Sequence, residues 1–262
     1  MISQIREIFK WRQLLFSLVL KDLKTKYRKA TGGFSWLLVA PLVQAGIFIF
    51  IFRFIFKIKI ENYTLFLLSG LFPWSFLKSS LDGAANSILV NANLVRKTYF
   101  PREILPISNI FTNIINFLFT LIILFIFSLF YRISLFPVIL WLLLIIFIQI
   151  ILIIGISLFL TGLNTTYRET QFIMDIILLL WFYATPIVYS LEMARNTLPA
   201  SLFLIYKLNP MTGIICAYQD IFLYGAIPNM VLLLESFLVA VMFFILGFLS
   251  FHHYEEIFVD LV

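Results

Sequence analysis

Lys78 and Asp82 stand four residues apart in the stretch WSFLKSSLDGAANS, so on a helix they share one face and can pair. Ser75, Ser79, Gly83, Ser87 and Asn91 also step by four and form a gently drifting polar row. Two kinds of chemistry fit such a row. Small and hydroxyl residues let helices pack closely and hydrogen-bond across the contact. The same residues suit the wall of a polar path, because an ion pair inside a membrane is costly unless it faces protein or water. Arg53, Asp175 and Glu235 are isolated acids and bases near span ends, not the connected series of acids that a proton-driven pump needs.

Catalytic chemistry is thin. His252 and His253 adjoin each other and lack the helical spacing of metal ligands, so no metal is expected. No nucleophile sits in a recognised elbow, and no catalytic residue is expected. No glycine is followed by lysine, so a GxxxxGK[ST] phosphate loop is absent. If the chain moves something at the expense of ATP, another polypeptide holds the nucleotide and its Mg, and this chain needs no cofactor. A membrane-embedded transferase acting on lipid-linked sugars would need clustered acids or histidines at one membrane face, and the sequence displays none.

The elements that must position these residues follow from the solvent they meet. The chain has 262 residues, 62% apolar and 12% charged, with 31 phenylalanines. A soluble domain of average make-up is about 45–50% apolar and about 25% charged. A multi-pass membrane protein fits this composition, and the net charge of +6 is explained by loops that orient spans rather than by nucleic-acid binding. Cys216 is the only cysteine, so no intrachain disulfide is possible. The apolar run Leu14–Leu20 is too short to span a bilayer and lacks a small-residue cleavage site, unlike a signal peptide.

An all-α fold with six transmembrane helices is predicted near 34–56, 64–92, 104–131, 134–163, 171–191 and 229–251, because a lipid-exposed span must satisfy its backbone internally. Residues 1–33 form an interface helix, with Leu20, Leu23 and Tyr27 on one face, Lys21, Lys24 and Arg28 on the next, and Thr31-Gly32-Gly33 as its stop. The membrane-spanning remainder, 34–262, includes 192–228, which is apolar yet broken by Pro199, Pro210 and Pro228. Leu202–Tyr206 and Met211–Tyr224 within it are each too short to span and fit re-entrant or interfacial half-helices. The second span, continued to Arg96, would be roughly 48 Å long, so it must tilt, kink or project.

Direction follows from lysine and arginine. With the N-terminus inside, the inner segments hold Arg6, Lys10, Arg12, Lys21, Lys24, Lys26, Arg28, Lys29, Arg96, Lys97, Arg102 and Arg168. The outer loops hold Lys57, Lys59, Arg132, Arg195 and Lys207. That imbalance favours both termini inside. NLVRKTYFPREILP, with Arg96, Lys97, Arg102 and Glu103, is then an inner loop between the second and third spans. Its Tyr99 and Phe100 either mark a contact surface or fold back onto the chain. Trp181, Tyr183 and Tyr189 in WFYATPIVY either form an interfacial belt or offer faces to sugar rings.

Taken together, KDLKTKYRKATGGFSWLLVAPL, GLFPWSFLKSSLDGAANSILVNANLVRKTYFPREILP, WFYATPIVY and LNPMTG resemble the permease subunit of ABC-type polysaccharide exporters. The likeness covers nearly the whole chain, and Phe258 and Asp260 match the family's closing Phe-x-Asp. It implies a homodimer in the bacterial cytoplasmic (inner) membrane, two ATP-binding cassette subunits, and a lipid-linked O-antigen, teichoic acid or capsular polymer as cargo. It also implies that Lys21, Lys24, Arg28, Arg96, Lys97, Tyr99, Phe100, Arg102 and Glu103 couple to the ATPase. Ser75, Lys78, Ser79, Asp82, Gly83, Ser87, Trp181, Tyr183 and Tyr189 are the expected channel lining. Gln219, in ICAYQDIF, departs from the Phe-Arg pair of many relatives. An ABC permease for small drugs or lipids is the competing expectation.

Overall fold

The computed structural model describes residues 10–28, 36–55, 60–167 and 169–255, and all regular structure in them is helical. Helix α1 (Arg12–Arg28) precedes α2 (Trp36–Ile49), which continues as a π-helical stretch, Phe50–Ile55. Next come α3 (Tyr63–Ala85), the short α4 (Ser87–Val90) and α5 (Ala92–Lys97), and then α6 (Ile104–Phe130). A 3-10 turn, Phe136–Val138, leads into α7 (Ile139–Thr166), followed by α8 (Thr170–Tyr183). Three shorter helices, α9 (Leu191–Thr197), α10 (Ala200–Lys207) and α11 (Pro210–Tyr224), precede the final α12 (Met230–Glu255).

Three described helical stretches are long and apolar enough to cross a membrane: α6, Phe136–Thr166 and α12. Their bounds lie close to the third, fourth and sixth predicted spans. Pairing α10 with α11, which bend 79° against each other, would make a fourth crossing. Those two helices contain the predicted half-helices, whereas α9 was not foreseen.

The centre of the bundle is α3. Leu65, Leu67, Leu71, Leu77 and Leu81 are all buried, so this helix is covered by protein nearly all round. That cover lets it carry polar and kinking residues. Pro73 sits inside it, where it cannot donate to the preceding turn. The Pro73 carbonyl accepts from Gln149 Nε2 at 2.8 Å, and Tyr218 donates its hydroxyl to Gln149 Oε1 at 2.8 Å. Phe76 stacks on Phe117 of α6 with ring centres 4.8 Å apart.

The second predicted span is not one continuous helix as far as Arg96, and it is interrupted as its length requires. The helix breaks after Ala85 and again at Asn91. The carbonyls freed at its end are taken up by side chains, as a buried helix terminus requires. Thr161 Oγ1 donates to Ala84 O at 2.9 Å, Asn164 Nδ2 to Ala85 O at 3.0 Å, and Asn86 Nδ2 to Asp82 O at 3.0 Å.

The fifth predicted span is also shorter than expected. Helix α8 has 14 residues, about 21 Å at 1.5 Å per residue, less than the ~30 Å hydrocarbon core. Beyond it the chain runs irregularly through Thr185-Pro186. Gln219 Nε2 donates to Pro186 O at 2.9 Å, and Asn209 Nδ2 reaches Ala184 O at 3.0 Å. So Gln219 is buried and holds this irregular backbone.

Helices α7 and α12 form the most extensive pair, crossing where Gly155 and Gly247 bring the two backbones together. At the other end of α12, Lys207 pairs with Glu235 at 3.3 Å, which gives that acid its partner.

Candidate functional site

Two polar regions stand out: a corner where α1, the α5–α6 loop and the end of α12 meet, and the row along α3. The corner is built on its own small core. Leu18 of α1, Ile88 and Val95 of α4 and α5, Phe100 and Leu105, Leu158 of α7 and Phe251 of α12 pack together. The predicted inward face of α1 is therefore displaced. Leu18 and Val19 are buried, while Leu20 and the cations Lys21 and Lys24 face outward. Leu14 and Leu15 lie one turn earlier on the same side and set the angle. The α1 backbone reaches Arg28, whose side chain lies outside the described residues, as do the Thr31-Gly32-Gly33 stop, Phe258 and Asp260. Lys21 Nζ donates to Asn91 Oδ1 at 2.7 Å, fixing α1 to the break between α4 and α5.

The two aromatics of the loop part company. Tyr99 is 93% exposed and Phe100 only 4%. Direct docking by both rings is thereby corrected: Phe100 anchors the loop to the helical core and Tyr99 alone presents a ring. Arg96 and Lys97 lie on the exposed side. Arg102 Nη1 donates to the Glu255 carbonyl at 2.6 Å.

Glu103 is turned inward too. It is buried, with Oε1 3.9 Å from His252 Nε2, while His252 Nδ1 lies 3.9 Å from Glu255 Oε2. Ligand atoms of Glu103, His252 and Glu255 come within 4.8 Å of one another. Reasoning from neighbours in sequence missed this cluster, because Glu103 belongs to a distant segment. The expectation of no clustered acids and histidines is corrected accordingly. Its geometry joins the α5–α6 loop to the last helix from two sides, through Arg102 and through Glu103.

Along α3 the row divides by depth. Lys78 and Ser79 are exposed, Ser75 and Asp82 half-buried, and Ser87 is buried with its hydroxyl donating to Ala84 O at 2.7 Å. Ser87 therefore closes a helix end. Gly83 packs against Asn109, whose amide occupies the space a Cβ would need. Lys78 and Asp82 do not close an ion pair within 4.0 Å; Lys78 acts on Asp82 only at longer range, Asp175 of α8 repels it and Gln171 of α8 hydrogen-bonds it. On α6, Asn113 Nδ2 donates to Ser79 O at 3.2 Å and Asn109 Oδ1 at 2.9 Å, extending the amide surface sideways.

The aromatic group at the end of α8 is tied by its polar tips. Trp181 Nε1 donates to Asn209 Oδ1 at 2.7 Å and its ring meets Trp74 edge-on at 5.8 Å. Tyr189 donates to Tyr183 O at 2.7 Å, and the Tyr183 ring is half exposed. Beside them runs an apolar cleft of about 740 Å³ lined by Leu81, Met174, Trp181, Leu202, Tyr206 and Phe243, among others.

Residues 13–223 match the family described as ABC-2 type transporter. The chain belongs to the ABC-2 type transporter family. It is thus a multi-pass membrane component of a transporter, not itself an enzyme, and its family pairs with an ATP-binding subunit. It is similar to an O-antigen export system permease protein, RfbA, of Myxococcus xanthus, with 32% identity over 235 residues and 87% of each chain covered. It is also similar to an O-antigen export system permease protein, RfbA, of Klebsiella pneumoniae, with 34% identity over 215 residues and 82% of each chain.

Proposed function

We propose that this chain is the membrane-spanning subunit of an ATP-driven exporter that carries a lipid-linked polysaccharide, of the O-antigen class, across the bacterial inner membrane. The observation that carries this is the match over 82–87% of the chain to permeases named for O-antigen export. The chain works as a homodimer with two separate ATP-binding cassette subunits, and the cargo passes at the dimer interface. ATP-driven closure of those subunits pushes on Tyr99 and the cations beside it. The thrust reaches α12 through the Arg102–Glu255 bond and the Glu103–His252 contact. The apolar cleft favours a second reading, export of small drugs or lipids, since its walls accept hydrophobic cargo.

Deleting the coding sequence should remove the polysaccharide from the cell surface and leave lipid-linked glycan inside, with hydrophobic drug efflux unchanged. Surface polysaccharide at parental amount, or lost drug efflux, would overturn the reading.

The topology proposed is six crossings with both termini inside, and α9 to α11 folded back from the outer face. Cysteine replacing exposed Asn196 in a Cys216→Ala background should react with an impermeant maleimide on intact cells. Cysteine replacing Tyr99 should react only after the membrane is opened. The reverse pattern would refute the orientation.

A further inference from the structure

A cavity of about 430 Å³ lies between α1 and the inner end of the polar row on α3. That volume falls in the ~300–1,000 Å³ range of ligand sites. Its walls come from four elements: Asp22 and Thr25 of α1, Asp82 and Gly83 of α3, the Asn86–Asn91 segment, and Asn109 of α6.

Which of these groups retain unused hydrogen-bonding capacity decides what the cavity can hold. Asn91 is occupied on both sides, accepting from Lys21 and donating to Ser87 O. Asn86 is likewise saturated by Asp82 O, Gln171 and Asn164. Thr25 donates to Lys21 O at 2.8 Å. Asp82 Oδ1, by contrast, is buried and accepts no hydrogen bond. A buried acceptor without a donor is costly, of the kind native proteins resolve with a ligand or water. Asp22 has no ion pair within 4.0 Å among the described residues. Burial pushes the Asp22 carboxyl up, against the pull of Lys21 in the other direction. The Asn109 amide oxygen is taken by Asn113, which leaves its NH₂ to donate.

The unused set is therefore the Asp22 carboxylate, the Asp82 oxygen that Gln171 does not reach and one amide donor, around a floor that includes Val90 and Leu105. Carboxylates demand donors. Vicinal hydroxyls of a sugar ring supply them in pairs, offer an oxygen back to the amide, and lay a C–H face on the apolar floor. A phosphate or pyrophosphate offers acceptors only, and among the described residues no lysine or arginine lines the cavity.

We propose that this cavity is a binding site for the neutral sugar rings of the cargo. Asp22 and Asp82 accept from ring hydroxyls, Asn109 donates to them, and the anionic carrier end is held elsewhere. The site rests on the export reading for its cargo but not for its chemistry. Because Asp22 belongs to α1, which Lys21 fixes to the α4–α5 break, ring binding draws α1 onto α3 at the head of the polar row.

The test uses the full chain with its ATP-binding subunit in lipid nanodiscs, and saturation-transfer NMR with D-mannose, D-galactose, L-rhamnose and their disaccharides as probes. At least one neutral sugar should give a signal that Asp22→Asn and Asp82→Asn each weaken by about tenfold, the loss expected for a hydrogen bond to a charged group. Both variants are isosteric, and melting curves establish that each is folded. If Asp82→Asn fails to fold, Asp22→Asn on the outer helix decides alone. No sugar signal, or equal signals in folded variants, overturns the proposal. So does displacement of the sugar by inorganic pyrophosphate, or binding of tetramethylammonium in its place. Polysaccharide export that persists without sugar binding sinks this site and leaves the export reading standing. Sugar binding in a chain that exports no polysaccharide does the opposite.

Discussion

Gly247→Ala should prevent stable assembly of the α7–α12 pair, while Gly46→Ala should leave the protein unchanged or slightly more stable. Intrinsic helix preference favours alanine over glycine by about 1 kcal/mol at both positions. The surroundings set the sign. A Cβ at Gly46 meets nothing within 4 Å. A Cβ at Gly247 would occupy the same space as the Gly155 carbonyl, and one at Gly155 would meet the Phe243 and Phe244 backbone. Over-packing a core costs typically ~1–3 kcal/mol when side chains can adjust. Here the obstacle is helix backbone, so α7 and α12 must part along their contact and the cost lies at or above that range. Loss should extend to the far corner, because α12 also carries Phe251 and His252. Detergent-solubilised yield and the unfolding midpoint measure it. A Gly247→Ala protein with parental midpoint would mean the two backbones do not cross here.

That crossing shows where sequence was legible and where it was not. The α6, α7 and α12 boundaries follow from long apolar runs, which any bilayer-spanning helix must have. The half-helices before α12 follow from Pro199, Pro210 and Pro228, since proline punctuates helices whatever surrounds it. What failed were features set by distant partners. A kink in the overlong second span was expected, but its place after Ala85 could not be read locally, because the carbonyls it frees are met by Thr161 and Asn164. The short α8 depends on Gln219 and Asn209 to support the irregular backbone that follows. His252 looked inert beside His253, and only the fold brings Glu103 to it. The row on α3 was visible by its period of four. Its division into exposed Lys78 and Ser79, occupied Gly83 and buried Ser87 came from α6 and from the helix end.

Tyr99→Ala and Phe100→Ala should fail in opposite ways, although the two residues are neighbours. Phe100 is buried among Leu18, Val95, Ile104, Leu105 and Phe251. Truncating a buried phenylalanine to alanine costs about 3–5 kcal/mol, enough to release the loop and α1 together, since Leu18 shares that cluster. Phe100→Leu keeps most of the volume and should restore much of the stability. Tyr99 is 93% exposed and touches no part of that cluster. Its loss should change stability by no more than about 0.5 kcal/mol, as for most surface sites. An exposed ring beside Arg96 and Lys97 is nevertheless the kind of group that centres a protein contact. Tyr99→Ala should therefore melt like the parent, yet co-purify with less of the ATP-binding subunit and export little polysaccharide. Phe100→Ala should melt early and lose both because the loop is no longer held. Parental co-purification and export by Tyr99→Ala would remove the loop from the coupling path, whereas early melting by Tyr99→Ala would show that its ring is packed after all.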